Sequence, residues 1–257
     1  MRVERVKETN RTMWAGAMKL VTFFSLKGGA GKTTGLMSAV SGLRLAGWRT
    51  ALLEADKNDP LKFWRGNAIE NGTWDADCRI FEATTPKEMA ASYAQAQRAG
   101  YDIAVYDAEG GESDLNTNAI LSSDLILVPL SLSSFDVEYG ISSFEFAKEA
   151  LDANERDVPI AFLICRFPAA KSKLTKADLE SFEILRDLPQ VSTRLPSRAA
   201  YADMGTSGML HLYHAGLKED PALRVTSIAI GTAVQETQSL AADIIDGLGM
   251  EQRHANP

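Results

Sequence analysis

Cysteine is nearly absent from this chain of 257 residues: Cys78 and Cys165 are the only two, and neither stands in a CxxC or Cys/His ligand spacing. A disulfide framework, a zinc site and an iron–sulfur cluster are therefore not expected, and a reducing cytoplasm suits the composition. Long hydrophobic runs are missing too. The longest, Leu125 to Leu130 and Ile160 to Cys165, fall far short of the roughly 20 residues that cross a bilayer, so no membrane insertion is expected. Positive charge is in deficit, with 27 Lys and Arg against 34 Asp and Glu and a net charge of −7. A surface that is basic all over is excluded, and any nucleic-acid contact has to be local. In the basic segment 165–200 aromatic interleaving is absent, which argues against stacking on single strands.

Residues 1–17 are polar, charged and without periodicity, and they lack the apolar core of an export signal. They read as a flexible extension, residues 18–250 as one domain, and 251–257 as a tail. Hydrophobic residues make up 45% of the chain, ample for a single large core. Short β-branched and aromatic runs alternate with segments of helical period, the pattern of repeated βαβ units. The strands read as Leu20–Leu26, Thr50–Glu54, Arg79–Ala83, Tyr101–Tyr106, Asp124–Leu130, Pro159–Arg166 and Gln190–Leu195. The best helical stretches are Lys32–Ala46, Pro86–Ala99, Phe135–Ala153, Thr175–Leu188 and Ala222–Leu248. The expected fold is α/β, a doubly wound, mostly parallel sheet of seven to eight strands with helices on both faces. Right-handed crossovers then gather the strands' carboxyl ends along one ligand-binding edge.

At that edge the first strand runs into Lys27-Gly28-Gly29-Ala30-Gly31-Lys32-Thr33-Thr34 and then a helix, the context a phosphate-binding P-loop requires. Glycines let backbone N–H groups converge on phosphate oxygens, and the helix N-terminus adds its positive dipole end. Lys32 is placed to neutralise β- and γ-phosphates and the Thr33 hydroxyl to ligate Mg²⁺, with Thr34 capping or lining the site. Two more strands bring acids to the same edge. Glu54 and Asp56 are spaced i and i+2, so both side chains leave one face of their strand. Asp107 ends the apolar Tyr101–Asp107 run, the Walker B arrangement for holding Mg²⁺.

One departure narrows the reading. A common P-loop has glycine six residues before its lysine, whereas here Leu26 holds that place and Lys27 follows. This resembles the deviant Walker A loop of the ParA/MinD family of ATPases, and the similarity extends from Met18 to the final helix. The resemblance implies that Lys27 reaches the nucleotide of a partner subunit in an ATP-sandwiching homodimer, and that Asp56 orients or activates the attacking water. Glu54 replaces the usual first aspartate, which leaves its role open. Ala108–Glu112 is similar to the family's switch segment, with Glu109 a departure; Pro129 and Asp136 match its later strand and loop. Arg166 and Phe167 fall where the family packs adenine.

The resemblance also implies DNA binding by the dimer through basic residues late in the chain. Residues 165–200 hold seven basic against four acidic residues, among which Lys171, Lys173, Lys176, Arg194 and Arg198 are the candidate phosphate contacts. The last helix carries Glu236, Asp243 and Asp246 with no Lys or Arg between Gln235 and Glu251, so its apolar stripe reads as core packing, not a lipid anchor. Trp74-Asp75, Gly110-Gly111 and Gly208–Leu212 look most like VirC-type ATPases, which help deliver transfer-DNA to a type IV secretion channel. The implied cofactors are ATP and Mg²⁺, with Thr33, Asp56 and Asp107 as the candidate residues around the metal. The implied partners are a second copy, DNA, and a partition adaptor or a relaxase or secretion component, in the bacterial cytoplasm at the nucleoid or a pole. Two alternatives stay open: a protein-positioning ATPase without DNA binding, and a P-loop ligase or kinase of the dethiobiotin synthetase type.

Overall fold

The protein is described by a computed structural model covering residues 18–56, 58–168 and 174–252. Seven strands form one sheet: β1 Lys19–Phe23, β2 Thr50–Glu54, β3 Cys78–Glu82, β4 Ile103–Asp107, β5 Leu125–Leu130, β6 Ile160–Phe167 and β7 Leu195–Pro196. Their order is β3-β2-β4-β1-β5-β6-β7 and every pairing is parallel. The doubly wound expectation therefore holds, with all described strands parallel.

Side chains alternate across each strand, and both faces are buried. Val21, Phe23, Leu52 and Val105 enter one core, under α1 Lys32–Leu45 and the long helix near the C-terminus. Leu20, Leu53, Ala104, Tyr106 and Ile126 enter the other, under α3 Pro86–Arg98, α4 Asp114–Ser122 and α5 Ser134–Ala153. Two-sided burial is why these strands read as unbroken apolar runs. The remaining helices are α2 Pro60–Glu70, α6 Lys176–Leu185, the short α7 Ala199–Ala202 and α8 Met204–Ser207, α9 Leu210–Leu217 and α10 Arg224–Gly247. No described helix is long and apolar enough to cross a membrane.

Helices α1 and α10 pack at backbone distance across Gly42. A Cβ at that position would stand 2.0 Å from the Thr237 carbonyl oxygen and 2.6 Å from its carbon. Backbone cannot swing aside as a side chain can, so Gly42→Ala forces the helices apart and opens the core between them. The expected loss is about 3 kcal/mol. It should be seen as a lower urea midpoint at unchanged slope.

Three sequence expectations differ from the structure. The first strand stops at Phe23, because Ser25 and Leu26 have left the ladder: the Leu26 N–H donates to the Ser143 hydroxyl at 3.0 Å. The last strand is a two-residue pair plus one bridge at Gln190. Between them, Ser192 and Thr193 turn away to bond Asp243 of α10. Helices α2, α4 and α7 to α9 were not read from the pattern; all are short.

Candidate functional site

The loop after β1 packs against β6 and opens into a cavity of about 450 Å³ at the carboxyl edge of the sheet. Gly29 and Gly31 have φ of 75° and 97°, values that side chains rarely adopt. Gly31 caps α1, and a Cβ there would crowd Cys165 at 3.2 Å, whereas a Cβ on Gly28 or Gly29 would meet nothing within 4 Å. The loop is therefore pressed against the protein on one side and clear on the other, a concave run of backbone at a helix N-terminus.

Lys32 is buried, and its Nζ lies 3.4 Å from the Lys27 carbonyl oxygen. Burial pushes its ammonium down, against the pull of Asp107 and Asp56. Thr33 Oγ1 donates to Asp107 Oδ2 at 3.2 Å. Asp107 is 1% exposed and its Oδ1 has no hydrogen-bond partner. Burial raises its carboxyl to about 6, with Lys32 and the Thr33 bond opposing and Asp56 adding to the rise. A buried carboxylate with one oxygen unpartnered beside a threonine hydroxyl fits a hard cation. No cluster of three or more His, Cys, Asp or Glu able to hold a metal occurs among the described residues. Any Mg²⁺ here would draw its other ligands from phosphate and water.

Glu54 and Asp56 diverge. Glu54, the last residue of β2, is 1% exposed and its Oε1 accepts the Leu61 N–H at 2.6 Å, capping the start of α2. Burial raises its carboxyl to about 7. Its Oε2 is buried without a hydrogen-bond partner. Asp56 lies past the strand end and lines the cavity beside Lys32 and Thr33. Its Oδ1 accepts from both the backbone and side-chain nitrogens of Asn58, each at 2.9 Å, so the carboxylate is oriented.

Lys27 is held within its own chain. Its Nζ pairs with Asp136 Oδ1 at 2.5 Å and lies 5.7 Å from the Tyr139 ring centre. Asp136 Oδ2 accepts from Ser131 and lies 3.4 Å from Arg166, whose Nη2 also donates to the Gly29 carbonyl at 2.7 Å. Although burial pushes the Asp136 carboxyl up, the bonds from Lys27 and Ser131 hold it below the usual carboxylate range. One aspartate thus gathers both cations that flank the loop. Residues 108–112 close the other flank, with Gly110 against the Gly28 backbone; Asn116 Nδ2 ties them down through the Glu109 and Gly111 carbonyls.

A family model described as VirC1 protein matches residues 18–250. The chain belongs to the VirC1 family. Protein virC1 of Rhizobium rhizogenes is 37% identical over 224 residues, covering 87% of this chain and 96% of that protein. Protein ParA of Rhizobium radiobacter is 27% identical over 189 residues, covering 72% and 81%. Among solved structures, an ATP complex of a Cyanothece McdA variant superposes with a TM-score of 0.66 at 13% identity, over 93% of this chain and 99% of that one. At that identity the likeness speaks for the fold alone. The resemblance to ParA/MinD-type and VirC-type ATPases read from the motifs is thereby borne out.

In this VirC1-family chain the far wall of the cavity comes from Leu195, Pro196, Ser197, Arg198, Tyr201 and Ala202, together with Arg166. Phe167, expected to pack adenine, is not in that wall. Its ring meets Phe182 edge-on at 5.6 Å and lies under Arg194 at 5.3 Å; β6 loses its regular register here, at Arg166, whose φ is 53°. Arg198 leaves the set of candidate DNA contacts: both Nε and Nη2 bond Glu236, the latter at 2.6 Å. Arg194 is exposed but covers the Phe167 and Phe182 rings, and Lys176 is exposed with Glu180 at 3.5 Å. Lys171 and Lys173 lie outside the described residues, as does the extension at 1–17. Sequence reading missed the tie between Lys27 and Asp136 and the whole Arg198, Tyr201 and Glu236 group. Their partners are distant in the chain and no short motif announces them.

Proposed function

We propose that this VirC1-family protein is a switch ATPase: ATP and Mg²⁺ close it as a homodimer, the dimer binds DNA or a protein partner, and slow hydrolysis opens it again. The reading is supported above all by the convergence of Lys32, Thr33 and Asp56 on one cavity under a glycine loop, with Asp107 behind them. In this scheme the loop amides and Lys32 hold the β- and γ-phosphates. Thr33 and Asp107 hold the cation, which supplies further charge neutralisation at the phosphate oxygens. Asp56, kept in place by Asn58, orients the attacking water.

Lys27 serves the partner's nucleotide, after leaving Asp136. The surface around it supports closure against a second copy, since Phe135 and Tyr139 are 70% and 47% exposed there. ATP then acts as a ligand that shifts a monomer–dimer population. The cargo fits plasmid partition or conjugative transfer of DNA. A mobility shift on random and plasmid-origin duplexes, with ATP, ADP or no nucleotide across a salt series, tests it. The expected result is retardation with ATP alone, falling steeply as salt rises. Saturable ATP hydrolysis without retardation at low salt would select a protein-positioning ATPase, and phosphate transfer to a small molecule a ligase or kinase.

A further inference from the structure

We propose that Glu236, on the long helix α10 and outside every nucleotide motif, is the positioning residue for the nucleoside end of the cavity. This rests on the nucleotide-binding reading above. The loop occupies one end of the cavity and takes phosphates, so the nucleoside has to run toward the other end, built from residues 195–202. That wall has little stability of its own. It consists of a strand of two residues, a bend and the four-residue α7, which has no side-chain cap, and so short a helix does not hold itself together in water.

Glu236 supplies the missing anchor. Arg198 Nε lies 3.0 Å from each of its carboxylate oxygens and Nη2 2.6 Å from Oε1, a forked ion pair. Tyr201 donates its hydroxyl to Oε2 at 2.7 Å. Arg198 and Glu236 side chains are 28% and 19% exposed, so solvent weakens the pair only in part. One carboxylate on a 24-residue helix thus fixes two residues three positions apart that both line the cavity. With Glu236 occupying Nε and Nη2, Arg198 presents a fixed guanidinium edge and Tyr201 a fixed ring. Without that carboxylate, Arg198 loses its partner and Tyr201 keeps only the long bond to the Ala233 carbonyl at 3.4 Å, so the wall loosens while the phosphate loop, on β1 and α1, stays as it was.

Calorimetric titration of the full chain with ATP and with tripolyphosphate, both with Mg²⁺, separates the two ends of the site. Glu236→Gln should bind ATP at least 10-fold more weakly and tripolyphosphate within twofold of wild type. Glu236→Asp should recover part of the ATP affinity, and Tyr201→Phe, which removes the bond to Glu236 and the 3.4 Å bond to the Ala233 carbonyl but leaves the Arg198 pair, should lose about threefold. Unchanged ATP affinity in Glu236→Gln, or equal weakening toward both ligands, overturns the proposal. If Glu236→Gln melts too early to titrate, Tyr201→Phe decides: ATP affinity equal to wild type overturns it. A wild type that binds tripolyphosphate and ATP equally well overturns this inference alone, whereas one that binds neither removes the nucleotide reading as well.

Discussion

Lys32→Ala is expected to cost at least about 100-fold in ATP affinity, enough to abolish binding at micromolar ATP. The lysine is 9% exposed and stands between Asp107 and Asp56, so its charge acts where water screens little. A hydrogen bond to a charged group contributes about 1.5–3 kcal/mol, and each 1.4 kcal/mol is tenfold in affinity. Two phosphate groups lose a partner at once. Removal also takes away the ammonium that offsets Asp107 and Asp56 beside the phosphate oxygens, which adds repulsion to the lost attraction. Fluorescence titration with a labelled ATP analogue measures this directly. The variant should remain folded, because Lys32 Nζ has a single long contact to protein, the Lys27 carbonyl at 3.4 Å.

Asp56→Ala should separate binding from hydrolysis. The carboxylate lines the cavity and is oriented by Asn58, but it contacts neither the loop backbone nor Thr33. Its loss removes the group that positions the attacking water, a contribution on the order of 10² to 10⁴ in rate. ATP affinity should be kept or rise slightly, since an acid near the phosphates is gone. The expected phenotype is phosphate release reduced at least about 100-fold, with ATP retained and the closed state accumulating. Near-normal turnover in this variant would move the catalytic role elsewhere, and Glu109 of the switch segment would be the next residue to substitute.

Much of this was legible in the sequence because its signals are local. The loop and its helix follow β1 within one strand-turn-helix unit, Asp107 closes an apolar strand of its own, and five of the seven strands fall within two residues of their expected bounds at both ends. The pattern fell short where the partner of a side chain decides. Glu54 and Asp56 share a strand spacing, yet the Leu61 N–H captures one and Asn58 orients the other. Phe167, at the end of β6, was expected at the adenine from the family resemblance, but Phe182 and Arg194 take its ring. Arg198 counted as surface charge until α10, 38 residues on, supplied Glu236. Whether the partner stands two residues on, as Asn58 does, or 38, as Glu236 does, charge counts and strand spacing carry no information about it.

The central claim, that ATP closes a dimer through Lys27, is tested most directly by sedimentation velocity of wild type and Lys27→Ala with Mg²⁺ and either ATP or ADP. The account predicts dimer for wild type with ATP, monomer with ADP, and monomer for Lys27→Ala in both. Equal sedimentation of wild type in ATP and ADP, or a Lys27→Ala protein that dimerises with ATP as wild type does, would contradict it.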